Sequence, residues 1–255
     1  MAVKITFPAY LRARWRSIAG VGAALVLLVS TCAAAGEYPV KPVRLVVPFA
    51  PGGTTDIVAR VVAQKLAEIW KKQVVIDNRG GAGGSIGTEL VAKAPADGYT
   101  LLFGLQTTHA INPAVYRDLP FDPIKDFTPV TRVAFSPQLL AVYPGVPATT
   151  LKEFVALAKA SPGKYSYGSS GTGTSQHLAF ELFKRAAGID LAHIPYKGMG
   201  PAITELVGGH VQAAIGGLVA LLPHVKSGKL RAIAMASTSR STVLLEVPTM
   251  AETLL

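Results

Sequence analysis

Apolar positions follow two alternating rhythms from residue 43 onward, short continuous runs and longer stretches at helical spacing. That alternation predicts an α/β fold built of βαβ units with mostly parallel sheets. A run over 43–47, closed by Pro48, reads as a buried strand. Ile57, Val58, Val61, Val62, Leu66 and Ile69 then recur as the core face of a helix. Strands over 74–76 and 100–103 flank a helix over 86–93. Pro120, Pro123 and Pro129 mark the stretch 119–129 as an irregular connection between two halves. An extended run over 139–143 opens the second half, followed by a helix over 151–160 and a strand over 165–167. The next helix shows Leu178, Ala179, Leu182, Phe183 and Ala186 at core spacing. A strand over 192–194, a helix opened by Pro201, a strand over 211–215, a helix over 221–226 and a strand over 230–234 complete the pattern.

Three strand-to-helix turns are rich in glycine, serine and threonine: 51–55, 80–85 and 169–175. In open α/β sheets ligands gather at the carboxyl ends of strands, where such turns feed helix N-termini. Those termini present unpaired backbone N–H groups and partial positive charge, so they hold anions without a cationic side chain. Glycine lets the backbone approach a ligand, and hydroxyls add donors. Asp56 falls in the first turn of the helix after 51–55, four residues before Arg60, where it suits the helix dipole, and Thr54 or Thr55 is positioned to cap that helix.

Half of the 255 residues are apolar and 16% are charged, a globular composition rather than a disordered one. Arg12, Arg14 and Arg16 precede an apolar run over 18–29 and then Ala33, Ala34 and Ala35, the order of a secretory signal peptide over 1–35. The run is shorter than the roughly 20 residues that span a bilayer. Cys32 follows Val29, Ser30 and Thr31 in a loose likeness of a lipoprotein site, with lipid anchoring the lesser reading. As Cys32 is the sole cysteine, the chain beyond residue 35 has no disulfide and no thiolate chemistry. Lys4, Arg12, Arg14 and Arg16 carry four of the +10 charges, which leaves a net +6 after the leader. That excess can steer anions, but no basic block with interleaved aromatics points to nucleic acid.

Neither Gly163-Lys164 nor Gly228-Lys229 has the earlier glycine of a P-loop, and no G-x-G-x-x-G occurs. Gly168-Ser169-Ser170-Gly171 has the wrong spacing for a nucleophile elbow. His109, His177, His193, His210 and His224 lack metal-ligand spacing, and His177 reads as a solvated or capping residue. Catalytic residues, metals and cofactors are therefore not expected.

Tyr38-Pro39-Val40-Lys41-Pro42-Val43-Arg44 and Val47-Pro48-Phe49-Ala50-Pro51-Gly52-Gly53, with Asp56 and Arg60, resemble the opening of the tripartite tricarboxylate transporter substrate-binding proteins, or Bug receptors. The likeness continues in order through Asn78-Arg79, Gly81-Ala82-Gly83-Gly84 and Gly87, Asp97-Gly98-Tyr99-Thr100, Asn112-Pro113, Asp126-Phe127, Ser170-Gly171-Thr172-Gly173, Pro195-Tyr196-Lys197-Gly198, Gly228-Lys229-Leu230-Arg231 and Val247-Pro248-Thr249 with Glu252. The resemblance implies a two-lobed periplasmic binding protein of the Venus-flytrap kind, with residues 36–135 and 235–255 in one lobe and 136–234 in the other. It implies a small organic acid as ligand, a di- or tricarboxylate, acidic amino acid or aromatic acid, and no cofactor. It places Ala50, Pro51, Gly52, Gly53, Thr54, Thr55, Ser85, Gln106, Thr107, Ser169, Ser170, Gly171, Thr172, Gly173, Thr174 and Ser175 around that ligand. The implied partners are the membrane subunits of a tripartite tricarboxylate transporter, served by a monomer in the periplasm. Family members usually carry a further C-terminal portion, so the first lobe is expected to be incomplete at Leu255. Two competing readings are a ligand sensor for a membrane signalling kinase and an extracytoplasmic hydrolase using Ser169 or Ser170.

Overall fold

The structure is a computed structural model that describes residues 37–254, so the expected signal peptide and Cys32 lie outside the described residues. The chain divides into a unit Met1–Val40 and a unit Lys41–Leu255. Of the first, only residues 37–40 are described, with a cis peptide at Tyr38–Pro39. The second contains two sheets, one of three strands and one of five.

In the smaller sheet β1 (Val43–Val47) lies between β2 (Val74–Asn78) and β3 (Thr100–Leu102), parallel to both. A parallel strand covered on both faces reads as a continuous apolar run, and Val43, Val46 and Val47 are fully buried. Helix α1 (Thr54–Trp70) crosses from β1 to β2 and buries Ala59 and Ala63 against Leu45 and Val47. Only part of the face that periodicity predicts is turned inward: Ile57, Val58, Val62 and Leu66 are half-buried, whereas Val61 is 64% and Ile69 65% exposed. Two small side chains let the helix come close to the sheet, with Val61 and Ile69 on its outer side. A tight turn Ala82–Gly84 leads into α2 (Ser85–Ala92). A π turn Thr107–Ile111, which the sequence pattern does not anticipate, runs into the short α3 (Asn112–Val115).

The larger sheet has the order β6-β5-β7-β4-β8. Its strands are β4 (Gln138–Val142), β5 (Ser166–Ser169), β6 (Ala192–Pro195), β7 (Ala213–Gly217) and β8 (Arg231–Met235). β5 is parallel to β6 and β7, as expected of crossover units, whereas β4 is antiparallel to β7 and β8. β4 follows the long irregular connection after α3 rather than a helical crossover, so nothing obliges it to run parallel. It is buried on both faces: Leu140 and Val142 point into one core, Leu139 and Ala141 into the other.

Helices α4 (Leu151–Ala160) and α5 (Ser175–Ala187) supply the first of these cores, with Phe154, Phe180 and Phe183. Thr150 and Glu153 close a capping box on α4. On α5 the buried residues are Phe180, Phe183 and Ala187, while Leu178 and Leu182 turn out to 41% and 69% exposure, against the expected face. The Phe180 ring lies 3.8 Å from Tyr167 in a stacked pair, and this contact sets the helix rotation. Helices α6 (Met199–Val207) and α7 (Leu218–Lys226) cover the other face with Ile203, Leu206 and Leu221.

The tail, expected to run with the first half, makes its contacts with the larger sheet. Met235 pairs with Thr249, and Leu244 and Val247 are buried in the core beside α6 and α7. The final helix α8 (Met250–Leu254) packs Met250 against the α4 core. Apolar contact with β8 and α4 is available to this segment as soon as the chain leaves β8.

Candidate functional site

The turn after β1 is held from below by Asp56, whose side chain is almost fully buried. Its Oδ2 accepts from the Gly52 N–H and from Arg60 Nε, each at 3.0 Å, and its Oδ1 accepts from Asn78 Nδ2 at 3.0 Å. Asn78 Nδ2 also donates to Phe49 O at 3.0 Å, so the turn is tied at both ends. Burial pushes the Asp56 carboxyl up, but the bonds from Arg60, Gly52 and Asn78 outweigh it and hold the group below the usual carboxylate range. Asp56 thus sits in the first turn of α1 as an acceptor. The expected threonine cap is not formed: Gly53 occupies the N-cap in extended conformation, and Thr54 Oγ1 donates to Gly217 O at 3.2 Å instead.

The second turn brings Ser85 to the start of α2, buried, with its Oγ accepting from Asn112 Nδ2 at 3.0 Å. The third begins at the end of β5. Ser169 Oγ lies 2.7 Å from His193 Nε2 and also bonds both the N–H and the carbonyl of Gly171. Ser170 Oγ donates to Gln176 Oε1 at 2.7 Å, and the Gly173 N–H donates to His177 Nδ1 at 3.2 Å. Thr174 Oγ1 donates to Gly171 O at 2.7 Å. Ser169 and Ser170 therefore brace the loop from within.

These turns meet across one seam between the two sheets. The Ala50 N–H donates to Lys197 O at 3.0 Å. The Cα of Gly200 lies 3.5 Å from where a Cβ on Gly52 would be, and a Cβ on Gly200 would overlap the Pro51 carbonyl. The Ser175 N–H donates to Thr107 Oγ1 at 3.3 Å, and Tyr116 Oη donates to Thr172 O at 3.3 Å. Gln106 immediately precedes the π turn that carries Thr107. The N-termini of α1, α2 and α5 all end on this seam, which concentrates the positive ends of three helix dipoles. A groove of about 460 Å³ lined by Arg44, Val75, Ile76, Asp77 and Arg79 lies along the β1–β2 side of the smaller sheet.

Sequence reasoning misses the opposing wall, Lys197, Met199, Gly200 and Gly217, together with Asn112, Tyr116 and His193. Pro195-Tyr196-Lys197-Gly198 is visible as a motif, but nothing in its spacing says that its carbonyls and glycines abut the first turn. The serine–histidine pair also bears on the hydrolase reading, which needs a base beside Ser169 that the sequence does not offer. His193 is such a base by distance, but Ser169 is fully buried and its hydroxyl is already engaged with Gly171. A nucleophile-elbow spacing does occur, at Gly83-Gly84-Ser85-Ile86-Gly87. The partner of Ser85 is the Asn112 amide, which cannot act as a base.

Comparison with known proteins points one way. A family profile described as "TctC: Tripartite tricarboxylate transporter family receptor" matches residues 58–254. Protein BugT of Bordetella pertussis is 42% identical over 219 residues, 86% of this chain and 67% of that protein. A Rhodopseudomonas palustris structure with adipate superposes with a TM-score of 0.82 at 41% identity, covering 85% of this chain and 72% of the other. MatC from Rhodopseudomonas palustris with bound malate gives 0.79 at 34% identity, covering 84% and 73%.

Proposed function

The chain belongs to the tripartite tricarboxylate transporter receptor family, and from that we propose that it captures a small organic carboxylate between its lobes and delivers it to the membrane subunits of such a transporter. On this reading it is exported through residues 1–35, works in the periplasm as a monomer, and divides into lobes near residue 136. The observation that carries the proposal is the convergence of three glycine-bearing turns, each opening a helix, on one seam. Backbone N–H groups and helix dipoles stabilise an anion there without a dedicated cation. The turns 50–55 and 169–175, with Ser85, Gln106 and Thr107, would line the guest. A ligand that touches both walls stabilises the closed arrangement by its differential affinity for it, which couples occupancy to a shape that a membrane partner can recognise. The adipate and malate held by the two Rhodopseudomonas palustris relatives agree with a carboxylate as guest.

Thermal melting against a panel of mono-, di- and tricarboxylates tests the proposal. An acid present at 100 times its Kd should add about 2.7 kcal/mol of stability. No response to any acid, or turnover of one of them, would overturn it.

A further inference from the structure

Asn112 is wholly buried beside the second turn. Its Nδ2 donates to Gly83 O and to Ser85 Oγ, both at 3.0 Å, while its Oδ1 is buried without a hydrogen-bond partner among the described residues. The amide cannot be turned round, because Oδ1 would then face the Gly83 carbonyl, acceptor against acceptor. Oδ1 stands on the seam: a Cβ on Gly83 would lie 3.3 Å from it, 3.2 Å from Tyr116 Oη and 3.5 Å from Thr172 O of the opposite wall. Tyr116 does not satisfy it, since its hydroxyl proton is directed to Thr172 O. A buried carbonyl of this kind is unfavourable until something donates to it. Ser85 accepts from Asn112, so its own O–H proton is left for an anion at the N-terminus of α2.

Resting on the carboxylate-receptor reading above, we infer that Asn112 makes the site selective for acids that carry a hydroxyl or amino group beside the carboxylate. The carboxylate takes the Ser85 hydroxyl and the α2 N-terminus, and the neighbouring O–H or N–H donates to Asn112 Oδ1. Gly83, at φ +61°, keeps a side chain from standing against all three oxygens.

Titration calorimetry with matched probes decides it: succinate against the enantiomers of malate and aspartate, glutarate against 2-hydroxyglutarate, propionate against lactate. Within a pair that binds, the substituted acid should bind at least about fivefold tighter. Asn112→Ala should bring the ratio to within about twofold, whereas Ser85→Ala should weaken both members and keep the ratio. Equal binding within every pair, or a ratio that survives Asn112→Ala, overturns the inference. If Asn112→Ala does not fold, the ratio in the unaltered protein decides alone. Acids that bind without preference defeat this inference only, while a panel in which none binds defeats the receptor reading and this with it.

Discussion

Asp56 shows how one side chain fixes a site it need not touch. Three hydrogen bonds, from Gly52, Arg60 and Asn78, converge on its carboxylate and shape the turn that opens α1. Asp56→Asn removes the charge and at least one acceptor position, and should lower stability by about 1–2 kcal/mol, read as a lower denaturant midpoint at unchanged slope. The helix-start role of Asp56 was legible because Arg60 follows four residues later. Asn112 and His193 were not, since their partners Gly83 and Ser169 lie 29 and 24 residues away and no local spacing records such a meeting.

The unit formed by β5, the 169–175 loop and α5 has its own chemistry behind the seam. The rings of His177 and His193 stack at 4.0 Å, and His193 also lies against Tyr167 at 4.9 Å. Tyr167 donates to Glu181 at 2.6 Å, and Lys184 pairs with Glu181 at 3.0 Å and with Asp190 at 3.7 Å. Burial, and then the neighbouring His177, push His193 down to about 4 from an ordinary 6.5, and burial lowers His177 as well. The folded chain therefore holds these rings neutral while the unfolded chain takes up protons first. Stability is full above about pH 6.5 and declines as the pH falls from there toward about 4. Depressed carboxylates lose their contribution only lower, Glu181 below 4.5 and Asp56 below 3.8. Melting temperature against pH should show that first decline, and His193→Asn should flatten it. The strands and turns of this unit were readable from apolar runs and glycine clusters. The buried face of α5 was not, because leucines and phenylalanines both fit the spacing and the Tyr167–Phe180 stack decides between them.

For the molecule as a receptor, the closed seam is the state that a ligand must favour. Thr107 Oγ1 and Ser175 Oγ face each other across it at 3.5 Å. Replacing both with cysteine should give a pair that oxidises several-fold faster with a saturating bound acid than without, seen as a mobility shift on non-reducing gels. Equal rates would mean that occupancy does not draw the walls together. The two-sheet division was visible in the proline-bearing connection. The reversed entry of β4 and the course of the tail were not, since direction and packing partner leave no trace in local pattern. Where Gly200 meets Pro51 and Gly52, main chain rests on main chain with no rotamer in between. Side chains can yield by rotating, but bare backbone cannot, so this joint has no half-shut settings. The protein should report a guest as a switch does, on or off, and a single added methyl at Gly200 would act as a wedge in the door.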